Sequence, residues 1–175
     1  MSLMSLFDRL FRWQPDPRQI MQPLYQAVVH RARAVHWYIE GQVPDTLDGR
    51  FDMIAAVLSL VLLRLERDDL RHESVWLTEL FVDDMEAQLR QIGIGDVIVG
   101  KHVGRMMSAL GGRLSAYREG LAPQRQLSDA LRRNLYRGEP VADDAVEDVE
   151  ARLRALAEAL DRADTAPLVA GALPT

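Results

Sequence analysis

The chain contains no cysteine among its 175 residues. That excludes disulfides, thiolate nucleophiles and thiolate metal sites. Lysine is nearly missing as well: Lys101 is the one lysine among 21 basic residues, the others being arginine. This bias reads as GC-rich coding and favours a bacterial source. Long apolar runs are missing too. The longest, Met53 to Leu63 interrupted by Ser59, is well short of the ~20 residues a spanning helix needs, so it reads as a buried core helix. No segment alternates apolar and polar residues as a half-buried strand does. Nor is there an excess of positive charge. The net charge of −5 gives no general attraction to nucleic acid or anionic lipid, and direct DNA binding is not expected.

What is present is ordinary for a globular domain: 48% hydrophobic and 27% charged residues. The length suits one domain with a sizeable core, domains usually having ~100–200 residues. Apolar residues recur at helical spacing along the whole chain, so the expected fold is all-α, a single-domain bundle of five to six helices with a C-terminal helical arm. One helix is expected from Pro23 to Gly41, with Leu24, Ala27, Val28, Val35 and Tyr38 inward. A second begins after Asp48, a candidate N-cap, and is apolar round most of its circumference, as a central helix is. Further helices are expected near His72 to Ile92, from the Gly93/Gly95 break to Leu121, at Ser128 to Tyr136 and at Asp143 to Ala163. In the last, Val146, Val149, Leu153, Leu156 and Leu160 form a seam resembling a coiled coil, too short to stand alone. The expected organisation is an amphipathic segment at 1–16, a helical core at 17–123, and a helical extension at 124–175 ending in a disordered tail. Met1-Ser2-Leu3 is repeated by Met4-Ser5-Leu6 and reads as a cloning remnant. The start is too charged, and too short in its apolar part, for a secretion signal. Phe7, Leu10, Phe11 and Trp13, beside Arg9 and Arg12, are candidates for membrane-surface contact; packing on the core and disorder are the competing readings.

Several patterns approach known chemistry. Gly95 to His102 nearly spells a phosphate-binding loop, but His102 stands where a Ser or Thr hydroxyl is needed for Mg²⁺, and the preceding segment is helical rather than a strand. Asp143, Asp144 and Glu147 have the spacing with which helical prenyl-transferring enzymes hold Mg²⁺ and a diphosphate, and Asp83, Asp84 and Glu86 are a near miss. Acidic residues also open helices for electrostatic reasons alone, at ~0.3–1 kcal/mol each. No paired Glu-x-x-His motif exists, and no metal or other cofactor is expected.

The most specific patterns are three local motifs. They are Gly41-Gln-Val-Pro44-Asp45-Thr46-Leu-Asp48-Gly49-Arg50-Phe51-Asp52, then Gly93-Ile-Gly95-Asp96-Val-Ile-Val-Gly100-Lys101, then Gly112-Arg113-Leu-Ser-Ala-Tyr117. Read from the residues alone, Arg50, Asp96, Lys101 and Arg113 suit an internal ion-pair network, a client-binding surface, or both. Gly100 and Gly104 suit close approach of another helix, and Met85, Met106 and Met107 suit an adaptable apolar lining.

Over Pro23 to Leu121 the arrangement resembles the ubiquinol–cytochrome c chaperone family, helical assembly factors for cytochrome b of the respiratory bc1 complex. Gly111 departs from the pattern, in which an aromatic residue is common. The resemblance implies a non-enzymatic protein that binds newly made cytochrome b. It places it in the cytoplasm or peripherally at the inner face of the plasma membrane, with a ribosome and a small assembly partner as further contacts. Client-binding or loop-network candidates are Asp45, Asp48, Arg50, Phe51, Asp52, Asp96, Lys101, Arg113 and Tyr117; the structural glycines are Gly49, Gly93, Gly95, Gly100 and Gly112. Two alternatives rest on other residues: a Mg²⁺-dependent enzyme acting on an isoprenoid or lipid diphosphate, and a helical adaptor dimerising through the Val146–Leu160 seam.

Overall fold

The computed structural model describes residues 16–91, 93 and 96–174; of residues 96, 97 and 102 only the backbone is described. The membrane-contact candidates Phe7, Leu10, Phe11 and Trp13, and the glycine at Gly95, lie outside the described residues. After a 3-10 turn at Pro17–Met21 come eight α-helices among the described residues: Gln22–Ala32 (α1), His36–Ile39 (α2), Leu47–Arg67 (α3), Arg71–Gln91 (α4), Asp96–Leu121 (α5), Ser128–Asn134 (α6), Asp143–Arg162 (α7) and Thr165–Val169 (α8). No described helix is long and apolar enough to cross a membrane.

Helix α3 is the axis of the bundle. Its apolar residues point in every direction, and each position from Met53 to Val61 is at most 3% exposed. Ser59 joins this run because its hydroxyl donates to the Ala55 carbonyl at 2.7 Å. Helices α1, α4, α5 and α7 pack around α3, with α6 bridging α5 and α7.

The sequence predicts one helix from Pro23 to Gly41, but the chain breaks at Arg33. The reason is the Trp37 ring. Turning at 33–35 buries this indole to 1% exposure and leaves Val35, expected inward, 72% exposed. The last carbonyls of α1 keep donors: Trp37 Nε1 donates to Arg31 O at 2.8 Å and the Tyr38 hydroxyl to Ala32 O at 2.9 Å.

The C-terminal arm, α7 and α8, lies on the bundle. Val146, Val149, Leu153, Leu156 and Leu160 are each at most 4% exposed, against α3 and α6 of the same chain. The seam is thus used internally, which removes the basis of the dimerising-adaptor alternative. The expected disordered tail is also corrected: Leu168 is fully buried, α8 contacts α1, and Arg31 donates to the Pro174 carbonyl. Apolar residues too few to signal a helix in sequence suffice when a formed surface receives them.

Arg64, only 6% exposed, ties α3 to this arm. It donates to the Leu160 and Ala163 carbonyls at 2.8 and 3.0 Å, capping the end of α7. It also pairs with Asp68, which accepts from the Thr165 hydroxyl. The Arg64 and Thr165 hydrogen bonds hold the Asp68 carboxyl below its ordinary value of 3.8. With the folded value depressed, this contribution is present above the ordinary value and lost as pH falls through the folded one. Amide exchange of residues 165–169, corrected for intrinsic rate, is therefore expected to be faster at about pH 2 than at about pH 6. Asp68→Asn is expected to reduce the difference.

Candidate functional site

The three motifs meet at the start of α3. Thr46, not Asp48, is the N-cap, its Oγ1 accepting from Gly49 N at 3.1 Å. Helix α3 starts earlier than the sequence suggests, so Asp48 falls in its first turn, where a negative charge is still favourable. Gly49 is required by space: a Cβ there would lie 1.9 Å from the Pro44 carbonyl oxygen. The extended turn thus folds back against the helix it precedes. Gly41 sits in the same way against Val149 and accepts through its carbonyl from the Tyr136 hydroxyl at 2.6 Å.

Beneath this turn is a buried charge cluster. Asp52 is fully buried; its Oδ1 contacts Arg113 Nη2 at 2.5 Å and its Oδ2 accepts from Arg137 Nε at 2.5 Å. Arg137 also donates to Asp48 at 2.7 Å, and Arg113 to the Asn134 carbonyl at 3.3 Å. Burial raises the Asp52 carboxyl above its ordinary value, opposed by the Arg137 hydrogen bond and the Arg113 charge. The Arg113 guanidinium lies over the Phe51 ring, 5.4 Å from its centroid, and Phe51 in turn meets Phe81 at 5.6 Å. Tyr117, 1% exposed, completes the wall, and burial pushes its phenol well above the ordinary value.

The expected network therefore exists with different members. Arg113 belongs to it, joined by Asp52, Asp48 and Arg137. Arg50 instead pairs with Asp45 at 2.6 Å on the surface, both more than half exposed. Lys101 is exposed on α5, and the Asp96 side chain lies outside the described residues. Arg137 is the residue that motif reading misses. It follows α6 with φ 56°, and Gly138 after it has φ 78°. Arg-Gly at a helix end marks a stop, but nothing local points to Asp52, 85 residues away.

Gly93, with φ 85°, makes the turn after α4. Gly100, Gly104 and Gly112 meet nothing within 4 Å of a Cβ. The expected close approach of a helix at Gly100 and Gly104 is not made by any of the described residues, because α5 presents these positions outward from them. Of the methionines, Met85 is plain core at 3% exposure, whereas Met107 is 37% exposed. Met107 lines an open groove of about 700 Å³ with Leu62, Val75, Thr78 and Leu114.

The patterns suggesting enzyme chemistry are not assembled. Gly100 and Lys101 lie inside α5 rather than in a loop. Asp143 pairs with Arg132, Asp144 accepts from Ala145 N at 2.8 Å, and Glu147 is exposed. Asp83 pairs with Arg18 at 2.8 Å, and Asp84 accepts from the Tyr25 hydroxyl at 2.6 Å. Among the described residues no group of three or more His, Asp or Glu side chains is placed to hold a metal ion.

Comparison with known proteins bears on the same region. Residues 40–174 match the family described as Ubiquinol-cytochrome C chaperone. The match runs through α6, α7 and α8, so the tail beyond Leu121 belongs to the family region, contrary to the extent read from the motifs. No curated protein sequence matches the chain. A crystal structure of the Cbp3 homolog from Brucella abortus is similar over 98% of this chain and 95% of that chain, with TM-score 0.77 and 27% sequence identity. With a family match over more than half of its length, on a fold shared with the Cbp3 homolog, the chain belongs to the ubiquinol–cytochrome c chaperone family.

Proposed function

We infer that this protein is a non-enzymatic assembly chaperone for cytochrome b of the bc1 complex. The observation that carries the reading is the family match over residues 40–174 on a fold shared with the Cbp3 homolog. The physics supports it. A client built of membrane-spanning helices exposes large apolar surfaces before insertion, and a rigid helical domain with an open apolar surface shields them. The protein works in the cytoplasm or peripherally at the inner face of the plasma membrane. Phe7, Leu10, Phe11 and Trp13 serve its membrane contact, and a ribosome and a small assembly partner are its further contacts.

The motif residues divide into two roles. Phe51, Asp52, Arg113 and Tyr117 are buried and hold the turn in place. Asp45, Asp48, Arg50 and Lys101 are exposed and face the client or a partner. Affinity purification of the tagged protein from a gently crosslinked, membrane-containing lysate tests this division. Wild type is expected to recover cytochrome b, and Arg50→Ala to recover clearly less. The Asp45–Arg50 pair is solvent-exposed, and such pairs add little to stability, so Arg50→Ala is expected to unfold almost where wild type does. Equal recovery by the two proteins would remove Arg50 from the client face.

A further inference from the structure

The groove lined by Leu62, Val75, Thr78, Met107 and Leu114 runs beside a face of α5 that no other described element covers. Gly100, Gly104, Met107, Gly111 and Leu114 follow one another along this helix in steps of four and three, the spacing of a helix-packing seam. The seam rises about 21 Å along the axis, roughly four turns. Its glycines meet nothing within 4 Å of a Cβ, and Val75, across the groove on α4, is 54% exposed. Small residues on such a seam let two helix backbones come close, as they do between membrane helices.

The charges at the rim select the occupant. Glu66 pairs with Arg118, Asp69 with Arg71 at 2.8 Å, and Glu79 with Arg18 at 3.8 Å. Of these charged lining residues, Glu66 and Asp69 are thus paired one to one, while Glu79 shares Arg18 with the closer Asp16 and Asp83. An anionic segment would meet an excess of carboxylate at the rim, and any charge over the apolar floor would lose its hydration; a neutral apolar stretch matches the floor. We propose that this groove docks one uncharged apolar α-helix of the membrane-spanning type, laid along α5 against the glycines, with Val75 and Met107 as side walls. The proposal rests on the chaperone reading and names the part of the client that is held.

The test uses the full chain and a fluorescent 20-residue leucine–alanine peptide with lysine pairs at both ends, titrated by anisotropy. Wild type is expected to bind the peptide, and Val75→Glu and Gly104→Leu to weaken it at least about tenfold, equivalent to 1.4 kcal/mol. Val35→Glu, at a more exposed apolar site away from the groove, is expected to leave binding unchanged. Gly104→Leu fills open space in a helix and is expected to unfold no earlier than wild type, which separates lost docking from lost folding. Unchanged binding in both groove variants overturns the proposal. So does sedimentation showing a dimer that Val75→Glu dissociates, since the occupant would then be a second copy. Cytochrome b recovery is scored separately: recovery undiminished in Val75→Glu removes the groove and leaves the chaperone reading standing. Peptide binding without any cytochrome b recovery removes the chaperone reading and leaves the groove as a site for apolar helices.

Discussion

Asp52→Ala is expected to destabilise the protein by about 4 kcal/mol, within the ~3–5 kcal/mol that removing one partner from a buried ion pair costs. Asp52 is fully buried and balances two guanidiniums, of which Arg113 is itself only 8% exposed. Without the carboxylate, Arg113 keeps its hydrogen bond to the Asn134 carbonyl and its place over Phe51. It loses its counter-charge in a site water does not reach. Arg137, 44% exposed, turns to solvent at little cost. The double variant Asp52→Leu, Arg113→Met is therefore expected to recover most of the loss, because apolar replacements of similar volume often match a buried ion pair. Urea unfolding of the single and double variants measures both quantities. A loss below about 1 kcal/mol for Asp52→Ala would mean that the cluster does not hold the turn in place.

The second large effect is expected at Gly49. An added Cβ would lie 1.9 Å from the Pro44 carbonyl oxygen and 3.2 Å from the Pro44 Cβ. Neither contact can relax without moving the turn off α3, so Gly49→Ala is expected to cost about 3 kcal/mol, the upper range for overpacking a fitted site. The same substitution at Gly104, where a Cβ meets nothing, is expected to stabilise the protein by ~0.5–1 kcal/mol through helix propensity. Opposite signs at two helical glycines, read from thermal midpoints, separate a glycine needed for packing from one the fold does not require. On the account above, the second leaves room for a bound helix.

The helices were legible in sequence because α3, α4, α5 and α7 each carry long, regular apolar spacing, and Gly93 marks the break between α4 and α5. Short pieces were less legible. The break at Arg33 follows from the placement of one indole, Trp37, and α8 forms because α1 offers a surface to Leu168. Local periodicity records neither. The motif around Gly49 was legible as a tight entry to a helix, though its cap proved to be Thr46. The charge network was legible only in kind. Asp48, Asp52 and Arg113 stood among the candidates, but which of them pair, and that Arg137 joins Asp52 from a distant element, needs the three-dimensional arrangement of 21 basic and 26 acidic residues. Gly100 and Gly104 were read as small positions where another helix comes close; among the described residues nothing lies within 4 Å of a Cβ there.

The most direct test of the account is deletion of the gene in its own bacterium, followed by complementation. Cytochrome b content, read from the b-haem absorbance of isolated membranes, is measured together with ubiquinol–cytochrome c reductase activity. Both are expected to fall sharply on deletion and to return with the wild-type gene. Normal cytochrome b and normal reductase activity in the deletion strain would contradict the assignment of this protein as an assembly chaperone.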